Sequence, residues 1–234
     1  MSVVLPYLPG RFGTVLADPP WQFSNRTGKV APEHRRLNRY ETMALAEICA
    51  LPVGRLAGDK SHLYLWVPNA LLAEGLQVMR AWGFQYKTNI VWYKVRKDGG
   101  PDGRGVGFYF RNVTELVLFG VRGAMRTDAA GRRQVNMIVA RKREHSRKPD
   151  LLYEVIERCS PGPYLEMFAR HHRPGWCQWG NEAPEGEQLL LEAGGPPEPS
   201  QRVAVPVSAR PVLLTAAAAT ASGDQPGTGS LDLV

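Results

Sequence analysis

Cysteine is scarce in this chain of 234 residues: Cys49, Cys159 and Cys177 are odd in number, far apart and form no C-x-x-C pair. That spacing suggests neither a disulfide framework nor a zinc site, and no metal is expected. Long apolar runs are also missing. No stretch approaches the ~18 to 20 consecutive apolar residues that a membrane span needs. The N-terminus lacks a basic region followed by an apolar core, so no secretory signal is expected. No internal repeat is evident. The expectation is a reduced, cytoplasmic protein with no membrane partner.

Acidic charge is the minority sign, and it is unevenly placed. Of the 29 basic and 22 acidic side chains, two and six respectively fall after residue 182, which leaves 27 against 16, a surplus of +11, for residues 1–182. A basic surplus favours a polyanionic partner such as nucleic acid, although many basic surfaces are merely soluble. From Ala183 onward the chain turns rich in Pro, Gly, Ala, Glu and Ser. That composition predicts a disordered tail over 183–234, in which Leu189 to Leu191 could form a small docking patch. Residues 1–182 are long enough for one domain with a proper core.

Within that domain, strand and helix patterns alternate. Strands are expected at Phe12 to Ala17, His62 to Pro68, Phe84 to Lys94, Thr114 to Val121, Tyr164 to Phe168 and Trp176 to Trp179. Helices are expected at Thr42 to Leu51, Asn69 to Trp82 with a stop at Gly83, and Pro149 to Cys159. The alternation implies an α/β sandwich with a largely parallel sheet. The polar, basic stretch from Gln22 to Tyr40 reads as a long loop and, since it follows the most informative turn, as a substrate-contacting lid; a solvated charged loop is the plain alternative. The segment Asp98 to Gly107 is a glycine-rich connection.

That informative turn is Asp18-Pro19-Pro20-Trp21. Asp18 falls where the first strand ends, at the carboxyl edge where open α/β sheets bind ligands. The prolines donate no N–H, so the turn presents carbonyl oxygens beside a carboxylate, a set of acceptors suited to an amine. An aromatic amine is a poor nucleophile because its lone pair is delocalised. Two acceptors gripping its hydrogens would push the nitrogen toward a reactive tetrahedral form, and Trp21 could stack on the ring. Alone, the same four residues are also an ordinary strand-ending turn.

Two further segments point to an anionic or zwitterionic ligand. His145-Ser146-Arg147-Lys148-Pro149-Asp150 puts cations immediately before a helix N-terminus, where anions bind. Tyr164 to His172 ends a strand in charged groups, and Trp176-Cys177-Gln178-Trp179-Gly180-Asn181-Glu182 ends another in an amide and a carboxylate suited to ribose hydroxyls. S-adenosylmethionine carries both an amino-acid zwitterion and a ribose.

In this order the segments resemble the circularly permuted adenine-N6 methyltransferases, whose best-known member is the catalytic subunit of the eukaryotic messenger-RNA adenosine methyltransferase, with bacterial and phage relatives. The resemblance covers about Phe12 to Glu182 and rests on the Asp-Pro-Pro-Trp motif, Tyr40-Glu41-Thr42-Met43, Leu63-Tyr64-Leu65-Trp66-Val67, Lys148-Pro149-Asp150, Glu166-Met167-Phe168-Ala169-Arg170 and Gly180-Asn181. It implies a Rossmann-like class I fold, a three-layer sandwich, in which a Phe-x-Arg turn replaces the glycine-rich cofactor loop. It implies S-adenosylmethionine as cofactor, with Asp18 and the Pro19 carbonyl on the target amine, helped by Pro20, and Trp21 and Tyr40 bounding the base pocket. Lys148 would pair with the cofactor carboxylate, and Arg170, His172 and Asn181 would meet its adenosine part, with Glu166 and Glu182 beside them. Arg111, Asn112 and Glu115 fall near the acceptor pocket, while Arg26, Lys29, Arg35, Arg36 and Arg39 of the basic loop would hold phosphates. His145 and His171 also read as surface residues, and Trp66 and Trp179 as core.

The chain departs from that pattern in three places. Only 17 residues precede Asp18, so the acidic contact often supplied by an upstream strand is expected to be missing or built differently. Arg173 stands where an amide is common, and Glu182 replaces a frequent glutamine. The expected reaction is methylation of the adenine 6-amino group in a polynucleotide, DNA ahead of RNA, with a homodimer allowed. Cytosine amino methylation and a catalytically silent nucleic-acid-binding relative are the rivals.

Overall fold

The computed structural model describes residues 12–22, 42–103, 109–143 and 147–180. Arg26, Lys29, Arg35, Arg36, Arg39 and Tyr40 of the expected lid, His145, Asn181, Glu182 and the expected tail lie outside the described residues.

Among the described residues seven strands make one sheet: β1 (Phe12–Ala17), β2 (Ala57–Val67), β3 (Gln85–Val95), β4 (Thr114–Arg122), β5 (Met137–Arg141), β6 (Tyr164–Met167) and β7 (Trp176–Trp179). Their order is β5-β3-β4-β2-β1-β6-β7. Four pairings are parallel, as the alternation implies; β4 runs antiparallel to both of its neighbours, β2 and β3. The exception has a simple cause. Among the described residues no helix separates β3 from β4, and the chain returns beside itself as an antiparallel pair.

Helices α1 (Leu45–Ala50), α2 (Val53–Leu56), α3 (Leu72–Ala81) and α4 (Leu151–Cys159) cover the sheet. Alternation along the central strands splits the core in two. Val15, Ala17, Leu63, Leu65 and Val67 join Ile48 of α1 and Val78 and Met79 of α3. Leu16, Tyr64 and Trp66 join Leu152, Val155 and Ile156 of α4 on the other face. Helices therefore bury apolar stripes on both faces, which gives the three-layer sandwich of the Rossmann-like class. Gly75 lets α3 press onto the sheet, since a Cβ there would lie 2.6 Å from Val67 Cγ2. Gly83, with φ of 84°, ends that helical segment where the sequence predicts.

Three elements escape the sequence pattern, one of them the four-residue helix α2, too short to show a helical period. Strand β5 is a five-residue edge strand with only Ile138 buried, too short for a periodicity to stand out. Strand β2 begins at Ala57 rather than His62; Gly58, Asp59 and Lys60 are poor strand formers, carried into the sheet by the pairing of Ser61 with Arg122.

The parallel register brings Ala17 beside Met167 and Leu65, and Met167 beside Trp179. The residues that follow, Asp18 and Phe168 to Arg170, leave the sheet at its carboxyl edge. Strand β4, running the other way, starts there, with Leu116 opposite Val67.

Candidate active site

Asp18 leaves β1 with its amide donating to the Met167 carbonyl at 3.5 Å and its side chain 26% exposed. The prolines after it hold a tight turn. The Pro19 carbonyl accepts the Trp21 N–H at 2.8 Å, and the Pro20 carbonyl accepts the Met43 N–H at 2.9 Å. Both acceptors are thus half used, and each keeps one lone pair. Trp21 sits differently from the base-stacking wall that the sequence suggests. It is 6% exposed, belongs to the core beneath the turn and donates its indole N–H to the Trp66 carbonyl at 2.9 Å. Its burial braces the Asp18 turn against β2.

Lys148, just ahead of α4, reaches back to this turn. Its ammonium stands 3.4 Å from Asp18 Oδ2, donates to Glu115 Oε2 at 3.0 Å and lies 4.7 Å over the Trp66 ring. Glu115 Oε1 accepts in turn from Lys94 at 2.5 Å. Lys94, Glu115, Lys148 and Asp18 form a row of alternating charge whose members sum to zero, which is what lets charged groups sit half-buried. Burial pushes the Glu115 carboxyl up, but Lys148 and Lys94 outweigh it and hold the group below its ordinary value. For Asp18, burial dominates and the Glu115 charge adds to it; Lys148 and Arg170 pull the other way without cancelling the rise. Burial would lower Lys148, yet Asp18 and Glu115 raise it, so the ammonium stays charged.

The same edge carries a second carboxylate. Glu166, on β6, accepts from the Tyr153 hydroxyl of α4 at 2.6 Å through Oε1 and from the Gln178 amide of β7 at 2.7 Å through Oε2. Burial keeps its pKa above the ordinary value against those two hydrogen bonds. The chain then turns sharply. Phe168 adopts φ of 64°, a left-handed conformation costing a bulky side chain about 1 to 2 kcal/mol. Packing offsets it: the Phe168 ring meets Trp179 edge-on at 5.3 Å, and the Ala169 amide donates to the Trp179 carbonyl at 3.0 Å. Gly180 allows this crossing, because a Cβ there would lie 2.5 Å from the Ala169 carbonyl oxygen.

A cleft of about 280 Å³ joins the two carboxylates, lined among others by Asp18, Lys148, Glu166, Phe168, Arg170 and His172. Five site residues taken from three distant segments of sequence therefore share one cavity. Trp66, expected as core, is 2% exposed yet also reaches the cleft wall. Arg173 also lines this cleft, where it pairs with Glu157 at 2.9 Å and holds its guanidinium 4.3 Å over the Tyr153 ring. Of the three residues expected near the acceptor pocket, Glu115 joins the Asp18 network, Arg111 is exposed and donates to the Gly103 carbonyl at 2.9 Å, and Asn112 meets Asn69 at 3.4 Å. Lys94, Tyr153 and Gln178 complete the site without having been singled out. A signal for Lys94 does exist: strand alternation puts it on the inward face with Ile90 and Trp92, where a lysine needs a reason.

The MT-A70 family model matches residues 12–182. A putative N(6)-adenosine-methyltransferase MT-A70-like protein of Medicago truncatula is 33% identical over 189 residues, 78% of this chain and 28% of the relative. The human N(6)-adenosine-methyltransferase catalytic subunit is 32% identical over 185 residues, 77% of this chain and 30% of its own length. The type II methyltransferase M.MunI of a Mycoplasma species is 27% identical over 204 residues, 80% of this chain and 84% of the relative. The chain thus spans under a third of the plant and human relatives and most of the mycoplasmal one.

Proposed function

The chain belongs to the MT-A70 family, and from that premise we propose that it is an S-adenosylmethionine-dependent methyltransferase acting on the 6-amino group of adenine in DNA. One observation carries the reading. The Asp18 carboxylate, in a turn of acceptors at a strand end, stands 3.4 Å from the Lys148 ammonium in a cleft that also holds Glu166, Arg170 and His172.

The cleft suits that donor chemically. Lys148 is a buried-side cation for the donor's carboxylate, and Glu166, oriented by Tyr153 and Gln178, is a two-oxygen acceptor for ribose hydroxyls. Arg170 and His172 offer planar groups to the purine, and Asn181 and Glu182, next in sequence after Gly180, are assigned to the adenosine part on the same reading. When bound, the donor supplies a methyl group already activated by a positively charged sulfur.

The remaining work falls to the chain. The Asp18 carboxylate accepts one hydrogen of the adenine amine, and the unused lone pair of the Pro19 carbonyl accepts the other. Both would stabilise the positive charge that develops on nitrogen as the new carbon–nitrogen bond forms and the methyl carbon–sulfur bond breaks, which leaves the sulfur as a neutral thioether. The nitrogen then gives up a proton to Asp18, whose raised pKa suits it to hold that proton before passing it to water. The base must leave its stack to reach the turn. Tyr40 bounds its pocket, and Arg26, Lys29, Arg35, Arg36 and Arg39 hold neighbouring phosphates, so affinity falls as salt rises.

The match that covers 84% of a type II methyltransferase supports DNA as the polymer. RNA is the second reading, supported by the relatives named for N6-adenosine methylation. Purified protein incubated with labelled S-adenosylmethionine and separate DNA and RNA pools, followed by nucleoside analysis, decides between them. N6-methyladenine from the DNA pool is expected; label in RNA alone, in cytosine or in neither pool overturns the assignment.

A further inference from the structure

Tyr109 and Phe110 are 86% and 85% exposed, well above every other large hydrophobic side chain among the described residues. Two adjacent aromatic rings held in water call for an explanation, since such groups are normally buried. Their support is fixed. The Lys94 amide donates to the Val113 carbonyl at 2.8 Å, the Asp102 amide to the Lys94 carbonyl at 2.9 Å, and Arg111 to the Gly103 carbonyl at 2.9 Å, so both stems of the β3–β4 connection are tied together. Their position is also informative. Thr114 opens β4 four residues after Phe110, and the next residue, Glu115, binds the Lys148 that reaches Asp18.

We propose that Tyr109 and Phe110 form a stacking platform for unpaired bases flanking the target adenine, with Arg111 set to meet a phosphate of the same strand. The proposal rests on the nucleic-acid reading above and adds to it a single-stranded or locally opened substrate. Every base has a π-face, so two exposed rings hold a strand without reading its sequence. The segment Tyr109-Phe110-Arg111-Asn112 carries a cation and no acid, which favours a polyanion over an acidic protein surface. A platform on the chain that leads into β4 and Glu115 also stabilises the strand once the target base has left its stack.

The test is fluorescence anisotropy with a labelled single-stranded oligothymidylate containing one adenine, comparing the wild type with the Tyr109→Ala/Phe110→Ala double variant, Tyr109→Trp/Phe110→Trp and Arg111→Ala. Calorimetry with S-adenosylmethionine serves as the check that each variant is folded. The double alanine variant is expected to bind the strand at least about tenfold more weakly, with an unchanged salt slope and unchanged donor binding. The double tryptophan variant restores affinity, and Arg111→Ala lowers the salt slope by about one. Wild-type affinity in the double alanine variant overturns the platform. So does loss of self-association in sedimentation with strand binding intact, which would make the rings a contact between copies. A wild type that binds donor and duplex DNA but no single strand also overturns the platform, and one that binds donor but neither form of DNA nor RNA overturns the nucleic-acid reading itself.

Discussion

The two carboxylates of the cleft, Asp18 at the end of β1 and Glu166 on β6, are both half-buried, and burial raises both, but they are held in opposite ways. Asp18 faces the Lys148 ammonium, part of a charged row that continues through Glu115 to Lys94. Glu166 is held by two neutral donors, the Tyr153 hydroxyl and the Gln178 amide. Neutral donors fix orientation without committing charge, which suits a group that recognises hydroxyls. A shared cation can move between partners, which suits a group whose charge must respond to a reacting nitrogen. Glu115 shows the third case: with two lysines on it, its pKa falls instead of rising. Residue type did not set these behaviours; the number and charge of the partners did.

If the Asp18 end carries the chemistry, Asp18→Ala should lower the single-turnover methylation rate by about 10³-fold or more while donor affinity stays within about threefold. Calorimetry beside quenched-flow kinetics separates the two quantities; equal losses in both would erase the distinction between the ends. Lys94→Met touches neither ligand, and it should still cost about 10²-fold in kcat by loosening Glu115 and hence Lys148. It should also shift the acid limb of the pH–rate profile upward, because the Glu115 charge raises Asp18 and Lys94 no longer offsets it. Lys94→Arg should recover most of the rate, whereas a purely structural role would leave the pH profile in place.

At the other end, Tyr153→Phe should weaken donor binding by about tenfold, with saturating kcat nearly unchanged. A fall in kcat without a change in affinity would reverse the roles of the two ends. The smallest effect at neutral pH concerns His62, in the core on the α4 face, which must be separated from any acid limb of activity. Burial pushes its pKa from 6.5 to about 4, so the neutral ring is native; its Nδ1 meets Ser160 Oγ at 2.8 Å and its Nε2 has no partner among the described residues. The unfolded chain takes up that proton first. The contribution is therefore complete above about pH 6.5 and is lost as pH falls toward 4, by about 3 kcal/mol in full. Denaturant midpoints across that window check it, and His62→Phe should flatten the dependence.

Much of this was legible because the signals are local. A short apolar run ended by Asp-Pro-Pro marks a strand end and a carboxylate on it, and cations before a proline-led helix mark Lys148. Arg170 and His172 follow directly from the β6 end. What stayed hidden depends on pairing across the chain. Lys94 meets Glu115 only because β3 and β4 pair antiparallel with Trp92 opposite Glu115. Glu166 gains its partners only where α4, β6 and β7 converge. Trp21 was legible as an aromatic at the site but not as a buried brace, because its burial is decided by β2 and α1, far away in sequence.

If the Asp18 turn directs methyl transfer to the adenine amine, a DNA strand with heavy nitrogen at the adenine 6-amino position, incubated with donor carrying a heavy methyl carbon, should develop a one-bond carbon–nitrogen coupling with the wild type and none with Asp18→Ala. No coupling with a wild type that binds donor, or an undiminished coupling in the variant, would contradict that role.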